Sequence, residues 1–113
     1  MNRDSYDEML SAVQDFHKKH DMQNTGGHDL KFRIALMCEE LGEVAAAVTK
    51  GQGSEKIAEE CADLLILLLG TSIAAKFDLN QAFWQKMEKI QQRKGRMIDG
   101  TLRVSDFDLK SSS

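Results

Sequence analysis

Ser54 to Ala75 reads SEKIAEECADLLILLLGTSIAA, and this stretch decides the fold. Leu64 to Leu69 are consecutive large aliphatic residues. At about 100° per residue they make a helix apolar on every side, which belongs at the centre of a core. The apolar run to Ala75, interrupted only by Gly70, Thr71 and Ser72, is about half a transmembrane span and reads as a core helix. The turn before it carries Glu59, Glu60 and Asp63. Carboxylates at the mouth of a buried helix must be hydrated, paired or bound to a cation.

Working outward, Gly51-Gln52-Gly53 separates this helix from the one before it, with Ser54 as the expected N-cap and the helix reaching Lys76. The preceding helix runs from Asp29, its expected N-cap, to Lys50. Before it, Asp21 to His28 contains Asn24-Thr25-Gly26-Gly27 and reads as a loop. Tyr6, Met9, Leu10, Val13, Phe16 and His17 recur at helical spacing, which predicts a first helix from Asp4 to His20. On the other side, Phe77-Asp78-Leu79-Asn80 reads as a turn and a fourth helix extends to Lys94, stopped by Gly95. No periodicity survives from Gly100 onward. The expectation is an all-α bundle of four main helices in residues 1–99, with a flexible tail over 100–113. The chain holds no Pro, which suits helices. Its 113 residues fit one domain with a modest core, so completion of that core by a homodimer or homotetramer is expected.

The 15 Lys+Arg against 18 Asp+Glu leave a net charge of −3, which argues against a nucleic-acid surface. Met1 to Leu10 is polar and lacks the apolar segment of a secretory signal, so a cytoplasmic protein is expected, with no membrane partner and with Cys38 and Cys61 as reduced thiols. No two of His17, His20 and His28 have ligand-like spacing; core or surface placement outweighs a base-pocket role for His17 beside Phe16. Trp84 reads as core or interface before base stacking. Arg33, two turns before Glu40, reads as a partner for an acid on its own helix.

Glu39, Glu40 and Glu43 lie on the second helix. Glu40 and Glu43 are about 60° apart, on a face flanked by Leu36 and Ala47, and Glu60 and Asp63 repeat the i, i+3 arrangement on the third helix. On antiparallel neighbours these acids form one cluster. Their repulsion needs an offset, and a hard divalent cation with oxygen ligands supplies one; a solvated acidic face is the other reading. On the fourth helix Lys86, Lys89, Arg93 and Arg96 fall within about 80°, a stripe suited to polyphosphate or simply to solvent.

The pattern EExxE at Glu39-Glu40-Leu41-Gly42-Glu43, followed by ExxD at Glu60-Cys61-Ala62-Asp63 heading an apolar helix, resembles the MazG-like all-α nucleotide pyrophosphohydrolases. The likeness extends over about Phe16 to Arg96. It implies that Glu40, Glu43, Glu60 and Asp63 are Mg²⁺ ligands, with Mn²⁺ as a substitute. It further implies that Glu39 binds a second ion or orients water, and that Lys56, Lys89 and Arg93 face the phosphates. The implied activity is hydrolysis of a (deoxy)nucleoside triphosphate to monophosphate and pyrophosphate, with nucleotide-pool housecleaning as its use. A relative acting on another substrate such as phosphoribosyl-ATP, or a catalytically weak nucleotide sensor, remains the alternative. Ile90, Gln91 and Gln92 stand where many members carry an Asn, a departure that leaves the contacts of that Asn unassigned.

Overall fold

The computed structural model describes residues 5–104. It contains α1 (Tyr6–Lys19), α2 (Leu30–Thr49), α3 (Ser54–Ala75), α4 (Leu79–Gln91), β1 (Gly95–Ile98) and β2 (Thr101–Val104). The class is all-α with four helices, as the periodicity predicts. The chain divides into two compact units, one through Phe77 and one from Asp78.

In the first unit α3 is the central helix, and both α2 and α1 pack on it. Each end of these helices has a local cause. Ser5 caps α1, its Oγ accepting from Glu8 N at 3.1 Å, with Asp7 and Glu8 in the first turn and Lys18 and Lys19 in the last complementing the helix dipole. Asp29 caps α2 as expected, its Oδ1 accepting from Lys31 N at 2.9 Å. Gly53, not Ser54, occupies the N-cap of α3, and Ser54 is already helical. Lys76 closes α3 in the left-handed region, and Phe77 N reaches back to Ser72 O at 3.0 Å.

The aliphatic side chains buried in the described residues are few: Val13, Ala47 and Leu69. Large apolar side chains stay exposed on α2 (Phe32, Ile34, Leu41, Val48) and on α3 (Leu65, Ile66, Leu68). The all-round apolar character of 64–69 therefore exceeds what one copy of this unit covers.

The second unit departs from expectation in two ways. Leu79 and Asn80 are helical, not turn, because the Asp78 side chain accepts from Gln81 N at 3.0 Å and starts the helix two residues earlier. At the other end α4 stops at Gln91: Gln92 N and Arg93 N bond to Lys89 O and Ile90 O three residues back, and the chain leaves the helix. It then enters an antiparallel hairpin of β1 and β2, with Ile98 opposite Thr101. Asp99 and Gly100 form its two-residue turn with φ of 50° and 80°, the positive pair that a type I′ turn requires. Thr101–Val104 is thus a strand where a tail was expected; residues 105–113 lie outside the described residues.

Candidate metal centre

The antiparallel pairing of α2 and α3 brings Glu40 opposite Glu60 and Asp63, and one carboxylate oxygen from each lies within 4.8 Å of the others. The i, i+3 spacing of Glu60 and Asp63 puts both on the face of α3 that meets α2. Glu60 is buried and Glu40 half-buried. Lys56, one turn before Glu60, holds Glu60 Oε1 at 3.1 Å and Glu59 Oε2 at 3.8 Å. That bond to Glu60, and then the charges of Glu59 and Glu60, push the Lys56 pKa up.

Glu40 has no such relief. Its Oε2 is out of contact with solvent and has no hydrogen-bond partner. Loss of hydration, then the charges of Asp63, Glu60, Glu43 and Glu39, raise its pKa. A buried carboxylate oxygen without a donor costs free energy, and native structures leave few of them. An oxygen-only donor set of this kind suits a hard divalent cation and suits neither a thiolate-seeking nor an imidazole-seeking metal. The residues present therefore fit the ion.

Of the other expected site residues, Glu39 and Glu43 lie in the same unit as this trio, and Lys89 and Arg93 lie in the second unit. Glu43 and Glu39 are exposed and outside the converging group, yet close enough for their charges to act on Glu40. Lys89 is in the last turn of α4. Arg93 lies beyond the helix cap and Arg96 on β1, so the four-residue basic stripe is not a helix face; Lys86 and Lys89 are its helical part. The helix ends too early to carry the other two. Arg93 keeps a buried Nε without a partner. Trp84 is exposed and donates to Asn80 Oδ1 at 3.2 Å.

A second polar cluster is not foreseen in the sequence. Arg33 does not pair with an acid of its own helix. It is 3% exposed and donates to Gly27 O (2.9 Å), Leu67 O (2.9 Å) and Thr71 Oγ1 (3.0 Å). Beside it the buried His17 shares a 2.9 Å hydrogen bond, Nδ1 to Nε2, with His28. Burial, then the Arg33 charge, then His28 lower the His17 pKa. The signals were an Arg inside an apolar stripe and Gly70 breaking an aliphatic run.

Four helices carrying an acid trio at the α2–α3 junction define an all-α protein with a carboxylate centre. A family model described as the MazG nucleotide pyrophosphohydrolase domain matches residues 30–98, more than half of the chain, and the chain belongs to that family. No curated protein and no solved structure matches it. No helix among the described residues is long and apolar enough to cross a membrane.

Proposed function

We propose that the protein is a divalent-cation-dependent pyrophosphohydrolase that converts a (deoxy)nucleoside triphosphate and water to the monophosphate and pyrophosphate. One observation carries this reading: Glu40, Glu60 and Asp63 converge, and Glu40 Oε2 is buried there without a donor. Glu40, Glu60 and Asp63, with Glu43 joining them, hold Mg²⁺ or Mn²⁺. When bound, the ion supplies positive charge against the bridging phosphate oxygens. Glu39 accepts the proton of the attacking water, and its exposure leaves it open to solvent exchange. Lys56 holds Glu60 in place and, from the exposed rim, meets phosphate charge. Lys89 and Arg93 take the outer phosphates, Arg93 through a planar two-donor fork.

The apolar groove between α1 and α3 supports a place for the base. It has a volume of about 560 Å³, is lined by Met9, Val13, Phe16, Ile66 and Leu69, and includes Asp63. Phe16, 48% exposed, offers a stacking face. A second copy covers the aliphatic residues left open on α2, giving a homodimer or homotetramer. A panel of nucleoside triphosphates with Mg²⁺, read for both monophosphate and pyrophosphate, tests the proposal. Equimolar release of the two from at least one nucleotide is expected. Release of inorganic phosphate instead, or no release from any, overturns it.

A further inference from the structure

We propose that Arg33 is a positioning residue for the carboxylate centre: its guanidinium braces α2 against α3 two turns away and sets the approach at which Glu40, Glu60 and Asp63 converge. The inference rests on the reading that those carboxylates hold a divalent cation.

Helix register links the two places. Arg33 Nη2 donates to Leu67 O at 2.9 Å and Nε donates to Thr71 Oγ1 at 3.0 Å, so one side chain of α2 grips α3 at two points. Glu40 follows Arg33 by seven residues on α2, and Glu60 precedes Leu67 by seven on α3. Seven residues fall about 20° short of two full turns and advance about 10 Å. Because the two helices are antiparallel, both steps lead from the brace to the acids along the same pair of facing surfaces. A slide or rotation of α2 on α3 at the brace is therefore passed to the acids, whose oxygens meet within 4.8 Å. Nη1 fixes the third direction by donating to Gly27 O at 2.9 Å in the loop before α2.

A core that only needed filling has cheaper solutions. Arg33 is bonded to neutral acceptors, and a buried cation is a poor source of stability compared with well-packed aliphatics. The chain also gives up helix propensity to accommodate it. Gly70 stands inside α3, where Gly is less favourable than Ala. A Cβ there would collide with Arg33 Nη2 and lie 2.8 Å from His17 Nε2. A lysine cannot replace the brace, because one ammonium on a flexible stem does not span two points of α3 and the loop together.

Mn²⁺ bound to the full chain, followed by electron paramagnetic resonance without nucleotide, tests this apart from turnover. Arg33→Met is expected to keep its helices by circular dichroism and to bind Mn²⁺ about ten- to a hundredfold more weakly, the range that residues orienting metal ligands command. Arg33→Lys is expected not to restore the affinity. Leu10→Ala, which truncates a half-buried side chain on α1, is expected to lower the thermal midpoint and leave Mn²⁺ affinity near the parent's. Parent affinity in Arg33→Met, full rescue by Arg33→Lys, or equal weakening in Leu10→Ala would each overturn the brace. If Arg33→Met loses its helices, Thr71→Val carries the test, since it removes one acceptor at nearly constant volume. Weaker Mn²⁺ binding is then expected, and parent affinity overturns the proposal. A parent chain that binds no Mn²⁺ removes the cation reading itself, whereas a binding parent with an unaffected Arg33→Met removes the brace alone.

Discussion

Arg33 and Glu40 share one face of α2, seven residues apart, and both draw charge away from water. At Arg33 the surroundings are complete: two carbonyls and a hydroxyl receive the guanidinium. At Glu40 they are incomplete: one oxygen has no partner, and the neighbouring charges are those of Asp63, Glu60, Glu43 and Glu39, all negative. Folding alone satisfies the first end of the α2–α3 junction. The second is left with a deficit of positive charge that Lys56, bonded to Glu60 and Glu59, meets only in part. The proposed cation would make up that deficit, and the contrast between the two ends is between a charge that the fold completes and one that it does not.

The comparison breaks most visibly in activity. Asp63→Asn removes a charged ligand and is expected to lower turnover by more than about a hundredfold, beyond what outer partners of a metal command. The helices should remain, since the substitution also removes acid–acid repulsion. Turnover at the parent rate, with pyrophosphate assayed directly, would show the acid end to be a solvated surface.

Mg²⁺ should act on one end only. An ion that binds the folded state at a hundred times its Kd stabilises by about 2.7 kcal/mol, a rise of several degrees in thermal midpoint. The rise should be absent from Glu40→Gln. The same rise in both proteins would place the ion elsewhere.

Gly70→Ala probes the completed end, where two effects oppose each other. Helix propensity favours Ala by about 0.5–1 kcal/mol. The new methyl must displace Arg33 or His17, and overpacking of that kind costs about 1–3 kcal/mol. A lower thermal midpoint is expected. A higher one would mean that Arg33 moves aside without loss.

The two ends were not equally legible. The acids announce themselves in part, because Glu60 and Asp63, three apart on α3, share a face that antiparallel packing turns towards Glu40, whereas the same spacing does not bring Glu43 into the group. Arg33 does not, because its partners are two backbone carbonyls and a threonine hydroxyl, and backbone acceptors leave no mark on a sequence. An acid of its own helix was therefore the natural but wrong partner. His17 and His28 are eleven residues apart, and only the turn through Asp21 to His28 brings their rings together. Asp99-Gly100 between Met97-Ile98 and Leu102 was a hairpin signal of the strongest short-range kind. The helical reading of everything before it extended α4 past its true end and with it the basic stripe through Arg93.

The smallest expected effect is a difference in pH dependence between the ends. The folded pKa of His17 lies below its ordinary value of 6.5, first through burial and then through Arg33 and His28. The unfolded chain therefore takes up this proton first as pH falls. The contribution of neutral His17 is whole above about pH 6.5 and is lost between there and its folded pKa. Protonation also leaves the ring with no acceptor to offer His28, so the 2.9 Å bond survives only if His28 accepts. Glu40 behaves oppositely. Its folded pKa is raised above the ordinary 4.5, so the folded state takes up its proton first and gains stability as pH falls towards that value. Thermal midpoints measured without Mg²⁺ from pH 8 to 5 should fall less steeply towards acid in His17→Gln than in the parent. In Glu40→Gln, which loses the offsetting gain, they should fall more steeply. Parallel curves for all three proteins would mean that neither end titrates with the fold, and the contrast between a completed and an uncompleted charge would not extend to their protons.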